Sequence, residues 1–295
     1  MVKFAVFTDL HYDSIFDGDR RIEEFITKVK MEQLDFIISL GDLCYPIEKN
    51  KRIVEKLKST GIANYYVIGN HDSEQYSQSE IMNFLQMEKP YYSFIVDDTK
   101  FIVLNACYMK SNHMNYPTYR KGKAKNCRYP VIPDSEVEWL KQEIFREDLS
   151  YVIFSHHSLA NEFEQRGIAN REKIQKLIES RNTLLCMNGH DHGDDCKIIN
   201  NICYYTLNAM SYVWHGLKPV YPYGDTIHMK YPYLKDVILY KQAFHCFVEL
   251  DKNHIKIRGM EGEYLSTTPE EVGITNRRWN GVSIQPRVST LDRRK

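Results

Sequence analysis

Apolar residues fall along this chain in short runs that switch between two periods. Val2–Thr8 is an apolar run ending in Asp9-Leu10-His11, the pattern of a buried strand that delivers polar groups at its carboxyl end. Ile22, Phe25, Ile26 and Val29 then recur at helical spacing behind Asp17 or Asp19, either of which suits a helix cap. Asp35–Leu40 returns to strand character and ends in Gly41-Asp42. Ile53, Val54 and Leu57 mark a second helix that stops near Gly61. Tyr65–Ile68 predicts a third strand, ending in Gly69-Asn70-His71-Asp72. This alternation predicts an α/β fold with polar groups gathered at strand ends.

The pattern then changes. Tyr91–Val96 and Phe101–Ala106 flank Asp97-Asp98 as an antiparallel hairpin. Residues 107–133 carry Pro, Gly, Asn, Tyr and the basic run Arg120–Lys125, and read as a long surface loop. Glu136–Phe145 and Arg171–Ser180 are helices with one apolar face, and Trp139 and Leu140 belong to that face. Tyr151–Ser155 is a strand ending in His156-His157, and Leu184–Met187 leads to Gly189-His190-Asp191-His192. Two further hairpins turn at Asn200-Asn201 and Lys252-Asn253, separated by a Tyr- and Pro-rich stretch over 212–235. We expect one domain over residues 1–260. The polar tail, 261–295, is expected to wrap that domain or a partner rather than enter the core, despite Trp279 and Ile284.

Five short motifs occur in order: Asp9-x-His11, Gly41-Asp42, Gly69-Asn70-His71-Asp72, His156 and Gly189-His190-x-His192. They offer carboxylate, carboxamide and imidazole, which together suit Mn, Fe, Co or Zn as divalent or trivalent ions. No thiol belongs to them, which disfavours a structural zinc site. Four His, two Asp and one Asn are too many ligands for one ion and about right for two ions sharing a bridge.

The ordered set resembles the signature of calcineurin-like metallophosphoesterases, over residues 1 to about 195. The resemblance implies a four-layer sandwich of two mixed β-sheets flanked by helices. It implies that Asp9, His11 and His192 hold one metal ion, that Asn70, His156 and His190 hold the second, and that Asp42 bridges both. It places His71 beside the leaving-group oxygen, with Asp72 hydrogen-bonded to that imidazole. The implied reaction is hydrolysis of a small-molecule phosphodiester or phosphomonoester, by in-line attack of a metal-bound hydroxide. A nuclease is the alternative within the enzyme class, and a metal-binding scaffold without catalysis is a more distant rival.

Taken singly, these residues have plainer readings: Asp9 as a turn residue, Asp42 as a helix cap, Asn70 as a turn terminator. Their shared order with four histidines outweighs those readings. In the His156-His157 pair the first is taken as the ligand and the second as a supporting residue or substrate contact. His113, His215, His228, His245 and His254 match no motif and are read as surface or hydrogen-bonded core residues.

Composition narrows the partners. The 295 residues are 43% hydrophobic and 26% charged, with 39 basic and 39 acidic side chains, so net charge recruits neither nucleic acid nor anionic lipid. Seven cysteines without paired CxxC spacing read as reduced thiols. No segment has the roughly 18–20 apolar residues of a membrane span, and Met1 runs straight into the first strand. The expected location is the cytoplasm.

Overall fold

The computed structural model describes residues 1–73, 75–109, 130–145 and 148–294. The basic run Arg120–Lys125 and most of the 107–133 loop lie outside them. Twelve strands form two six-stranded sheets. They are β1 (Val2–Phe7), β2 (Phe36–Ser39), β3 (Ala63–Tyr66), β4 (Tyr92–Val96), β5 (Thr99–Val103) and β6 (Ser150–Ser155), then β7 (Thr183–Asn188), β8 (Asp195–Ile199), β9 (Ile202–Thr206), β10 (Cys246–Leu250), β11 (His254–Arg258) and β12 (Leu291–Arg294). The first sheet runs β12-β11-β10-β1-β2-β3, and the second β8-β9-β7-β6-β5-β4. Both are mixed: β1, β2 and β3 are parallel, as are β5, β6, β7 and β9, while the hairpin strands add antiparallel edges.

Side-chain alternation explains the layering. Phe4, Val6, Phe36 and Ile38 face Phe101, Val103, Val152 and Phe154 in a core between the sheets. Their neighbours Ala5, Phe7 and Ile37 turn the other way, against α1 (Gly18–Val29) and α2 (Lys51–Lys58). On the far side Ile102, Tyr151, Ile153 and Cys186 meet Val137, Leu140, Ile174 and Ile178. Those four come from the helices Asp134–Glu143 and Arg171–Glu179. Strands buried on both faces must be apolar throughout, which is why β1 and β6 read as continuous runs. The result is helix, sheet, sheet, helix, the four-layer sandwich expected.

The tail departs from expectation. Val272, Ile274, Ile284 and Val288 are buried in the inter-sheet core, and β12 pairs with β11 as an edge of the first sheet. Isolated apolar residues in a polar stretch carry no period, so the sequence concealed their burial. The 212–235 stretch is also structured. Tyr212–Trp214 pairs with Val237–Leu239, and a short helix spans Asp225–Lys230. The fully buried Arg21 ties down residues on either side of that stretch: its Nη1 donates to the carbonyls of Met210 (2.8 Å) and Gln242 (2.9 Å), while its Nε donates to Asp17 (2.9 Å). No helix among the described residues is long and apolar enough to cross a membrane.

Candidate metal centre

Five parallel strands end at one place. β1 is followed by Asp9 and His11, β2 by Asp42, β3 by Asn70 and His71, β6 by His156, and β7 by His190 and His192. Ligands gather at carboxyl ends of strands because only there does the backbone leave the sheet and free its polar groups. Here the turns are tight. Asp9, His11, Asp42, His190 and His192 all have φ between 48 and 63°, the left-handed region that costs a non-glycine residue about 1 kcal/mol or more. The motif glycines have a steric reason. A Cβ at Gly69 would lie 2.1 Å from Asp42 Oδ1, and one at Gly189 would lie 2.0 Å from Thr8 Oγ1 and 2.5 Å from Asp9 Oδ2.

Every residue expected to hold metal is in one cluster. Asp9, His11 and His192 form one group of potential ligands, and Asp42, His156 and His190 another. His192 Nε2 is 3.0 Å from His11 Nε2 and 3.2 Å from Asp9 Oδ1. His156 Nε2 is 2.9 Å from Asn70 Oδ1. Asp42 Oδ2 lies 3.2 Å from His156 Nε2 and 3.5 Å from His11 Nε2, between the two groups. Asp9 Oδ1 and Asp42 Oδ2 are buried and accept no well-formed hydrogen bond among the described residues. Two buried carboxylate oxygens facing imidazoles in this way are costly unless a cation satisfies them. The donor set and these orphaned oxygens fit metal ions.

The surrounding groups hold these side chains in ligand-ready form. His192 Nδ1 meets the Tyr212 carbonyl at 2.7 Å and His156 Nδ1 the Leu40 carbonyl at 2.8 Å. Each contact keeps a proton on Nδ1 and turns Nε2 inward. His190 Nε2 is bonded to the Gln165 carbonyl at 2.8 Å. Asp9 Oδ2 accepts from Thr8 Oγ1 (2.6 Å) and His190 N (2.9 Å), and Asp42 Oδ1 accepts from His71 N (2.8 Å).

Burial would raise the Asp9 carboxyl, but the imidazoles of His192, His11 and His156 outweigh it and hold it well below the usual carboxylate range. Burial lowers His11 to about 4 and, with neighbouring imidazoles and Arg166, holds His190 well below its ordinary value, so both are neutral donors at pH 7. His156 is opposite: burial works against its charge, yet the Asp42 and Asp9 carboxylates lift it to about 10. A proton held there occupies the place a cation would take, so metal binding is expected to release it.

His71 lies at the cleft, its ring centroid 4.9 Å from that of His11. Asp72 has a task the sequence did not announce. Its carboxylate accepts the backbone N–H of Gly69 (2.8 Å), Asp42 (3.0 Å) and Leu43 (3.1 Å), tying two ligand loops together. Burial and the nearby Asp42 raise it to about 7. His157 is buried, its ring centroid 4.1 Å from that of His190, and it is not among the residues of the cleft wall.

The cleft above the cluster measures about 230 Å³ and adds Gln165, Arg166, Tyr212 and Trp214 to its wall. None was singled out from sequence. Gln165 acts through its carbonyl, which any residue has; Tyr212 adds to its carbonyl a ring whose centroid lies 5.0 Å from that of His11 and 4.8 Å from that of His192, and no local signal separates Arg166 from other surface arginines. Arg166 Nη1 donates to the His190 carbonyl at 3.1 Å, and Trp214 leaves 36% of its surface open.

A family model described as calcineurin-like phosphoesterase matches residues 2–194. Among solved structures, a dimetal phosphatase from Danio rerio is similar over 90% of this chain and 99% of its own, with a TM-score of 0.64 at 14% identity. GAP50, described as the anchor in the inner membrane complex of Plasmodium, is similar over 92% and 86%, with a TM-score of 0.54 at 16% identity. At these identities the likeness is one of fold. No curated protein is a significant match.

Proposed function

The chain belongs to the calcineurin-like phosphoesterase family, and from that premise we propose that it hydrolyses a phosphodiester or phosphomonoester of a small molecule at this cluster. The observation that carries the reading is Asp42, whose Oδ2 faces imidazoles of both donor groups from a fully buried position. Asp9, His11 and His192 would hold one ion, Asn70, His156 and His190 the other, and Asp42 both. The chemistry such ions supply when bound is withdrawal of charge from phosphoryl oxygens and activation of water near neutral pH.

The rest falls to the protein. His71, at the cleft wall with its backbone fixed by Asp42, would give a proton to the departing oxygen. Arg166 is the one guanidinium on that wall among the described residues, and offers a fork to a non-bridging oxygen or a second anionic group. Trp214 presents an open indole to whatever the phosphate is attached to. A cleft of about 230 Å³ suits a small ester better than a nucleic-acid duplex, and the balanced charge agrees.

The test is a panel of phosphoesters: cyclic nucleotides, nucleoside diphosphate sugars, glycerophosphodiesters, monoesters and single-stranded nucleic acid. Chelator-treated protein is assayed with and without Mn, Fe, Co or Zn. Hydrolysis of at least one small ester is expected only with metal. For that ester, Arg166→Ala is expected to lower kcat/KM by about 10-fold or more, the scale of a lost charge-assisted hydrogen bond, mainly through KM. Cleavage of nucleic acid alone would displace the small-molecule reading, and an unaffected KM would remove Arg166 from the substrate's contacts.

A further inference from the structure

The loop that presents His190 and His192 is strained at both residues, and a left-handed backbone persists only where its surroundings over-determine it. Part of those surroundings comes from the far end of the chain. Arg278–Trp279 pairs with Val282–Ser283 across a two-residue turn, Asn280-Gly281, with φ of 50° and 88°. The turn reaches Asn161, whose Nδ2 donates both to the Asn280 carbonyl and to Asp191 Oδ2, each at 3.0 Å. Asp191 is the residue between the two histidines.

The next residues are held as firmly. Gly193 lies so close to the tail that a Cβ there would sit 2.4 Å from Val282 Cγ2 and 2.7 Å from the Ser283 carbonyl. Asp194 exchanges both backbone hydrogen bonds with Ser283, at 2.7 and 3.0 Å. Its buried carboxylate accepts from Ser289 N at 2.9 Å and from the Ser289 hydroxyl, with Arg287 Nε 3.5 Å away. Asp191 follows His190 and, with Gly193 and Asp194, brackets His192, and each of the three is anchored directly or through Asn161 to residues 280–289.

We propose that the C-terminal segment 278–289 is a positioning element of the metal centre, clamping the loop that aims the His190 and His192 imidazoles. This rests on the functional reading above. It goes beyond that reading because every motif residue precedes 195. Partners that orient ligands without touching metal are typically worth about 10–100-fold in metal affinity. The clamp's variants are expected to show that loss.

The experiment measures Mn(II) binding to full-length protein by calorimetric titration, alongside the melting temperature of the metal-free form. Ser289→Ala removes the hydroxyl donor to Asp194 and leaves the backbone contact. Gly193→Ala wedges the tail off the loop. Both are expected to bind Mn(II) about 10-fold or more weakly, with Ser289→Thr restoring affinity because it keeps the hydroxyl. His254→Ala breaks the exposed His254–Asp292 contact elsewhere on the tail, 2.6 Å long, and is expected to bind as wild type. His190→Ala separates the two claims. If it weakens binding while Ser289→Ala and Gly193→Ala do not, the clamp is wrong and the metal reading stands. If His190→Ala binds as wild type, the metal reading itself fails. A clamp variant that melts earlier with metal affinity intact would show a tail that only stabilises the fold, and would overturn the proposal. Should Gly193→Ala fail to fold, the Ser289 pair decides alone.

Discussion

Asp42→Asn will weaken both halves of the metal centre together and lower turnover by about 10³-fold or more, the scale of losing a charge-stabilising centre. The substitution is nearly isosteric, and asparagine tolerates the left-handed φ of 54° at this position. The carbonyl oxygen can still accept the His71 amide that Asp42 Oδ1 holds at 2.8 Å. What disappears is the anionic charge shared between His11 and His156. That charge also lifts His156 to about 10, so its loss lets the imidazole fall toward the neutral form without a carboxylate to recruit a cation. Metal content by elemental analysis, with affinities by titration, checks the expectation. His192→Ala is the contrast, because His192 belongs to one donor group and should mainly empty one site. If Asp42→Asn loses a single ion cleanly and keeps the other at wild-type affinity, the bridge is misassigned.

His71→Ala will keep the fold and both ions while cutting turnover by about 10²–10⁴-fold on esters with poor leaving groups, the usual worth of general-acid help. The side chain lies at the cleft, but its structural tie to Asp42 is through the backbone N–H, which alanine retains. The loss should shrink for a nitrophenolate, which departs without a proton. A second role is geometrically open, because His71 also stands within ligand distance of His11 and Asp42. Measuring kcat against leaving-group pKa, with metal content in parallel, separates the cases. A steeper dependence in the variant with metal retained supports proton donation. An unchanged slope assigns His71 to a non-bridging oxygen, and loss of an ion would make it a ligand.

The clustering of the candidate ligands was legible because each motif follows an apolar run, and a run buried on both faces is the clearest strand signal a chain can give. The four layers came from the family resemblance, since the runs alone mark strands and not how sheets stack; the structure shows why the runs are unbroken, with Phe4 and Ala5 pointing to different cores. Hairpin turns at Asn200-Asn201 were visible because both residues must take positive φ, 48° and 66°, which asparagine tolerates. What stayed hidden acts through groups that sequence does not distinguish. The Tyr212, Leu40 and Gln165 carbonyls orient three imidazoles, yet every residue has a carbonyl. Asp72 was recognisable as part of a motif, but its three amide partners depend on how two loops meet. The tail hid most completely: Ile284 and Val288 are single apolar residues with no period around them, buried because tertiary contacts place them there.

Two ions are proposed to sit on either side of Asp42, and anomalous scattering from crystals grown with Mn(II) tests that arrangement most directly. Two peaks per chain are expected inside the cluster of Asp9, His11, Asp42, Asn70, His156, His190 and His192, with the Asp42 carboxylate reaching both. A single peak, or peaks outside that cluster, would contradict it.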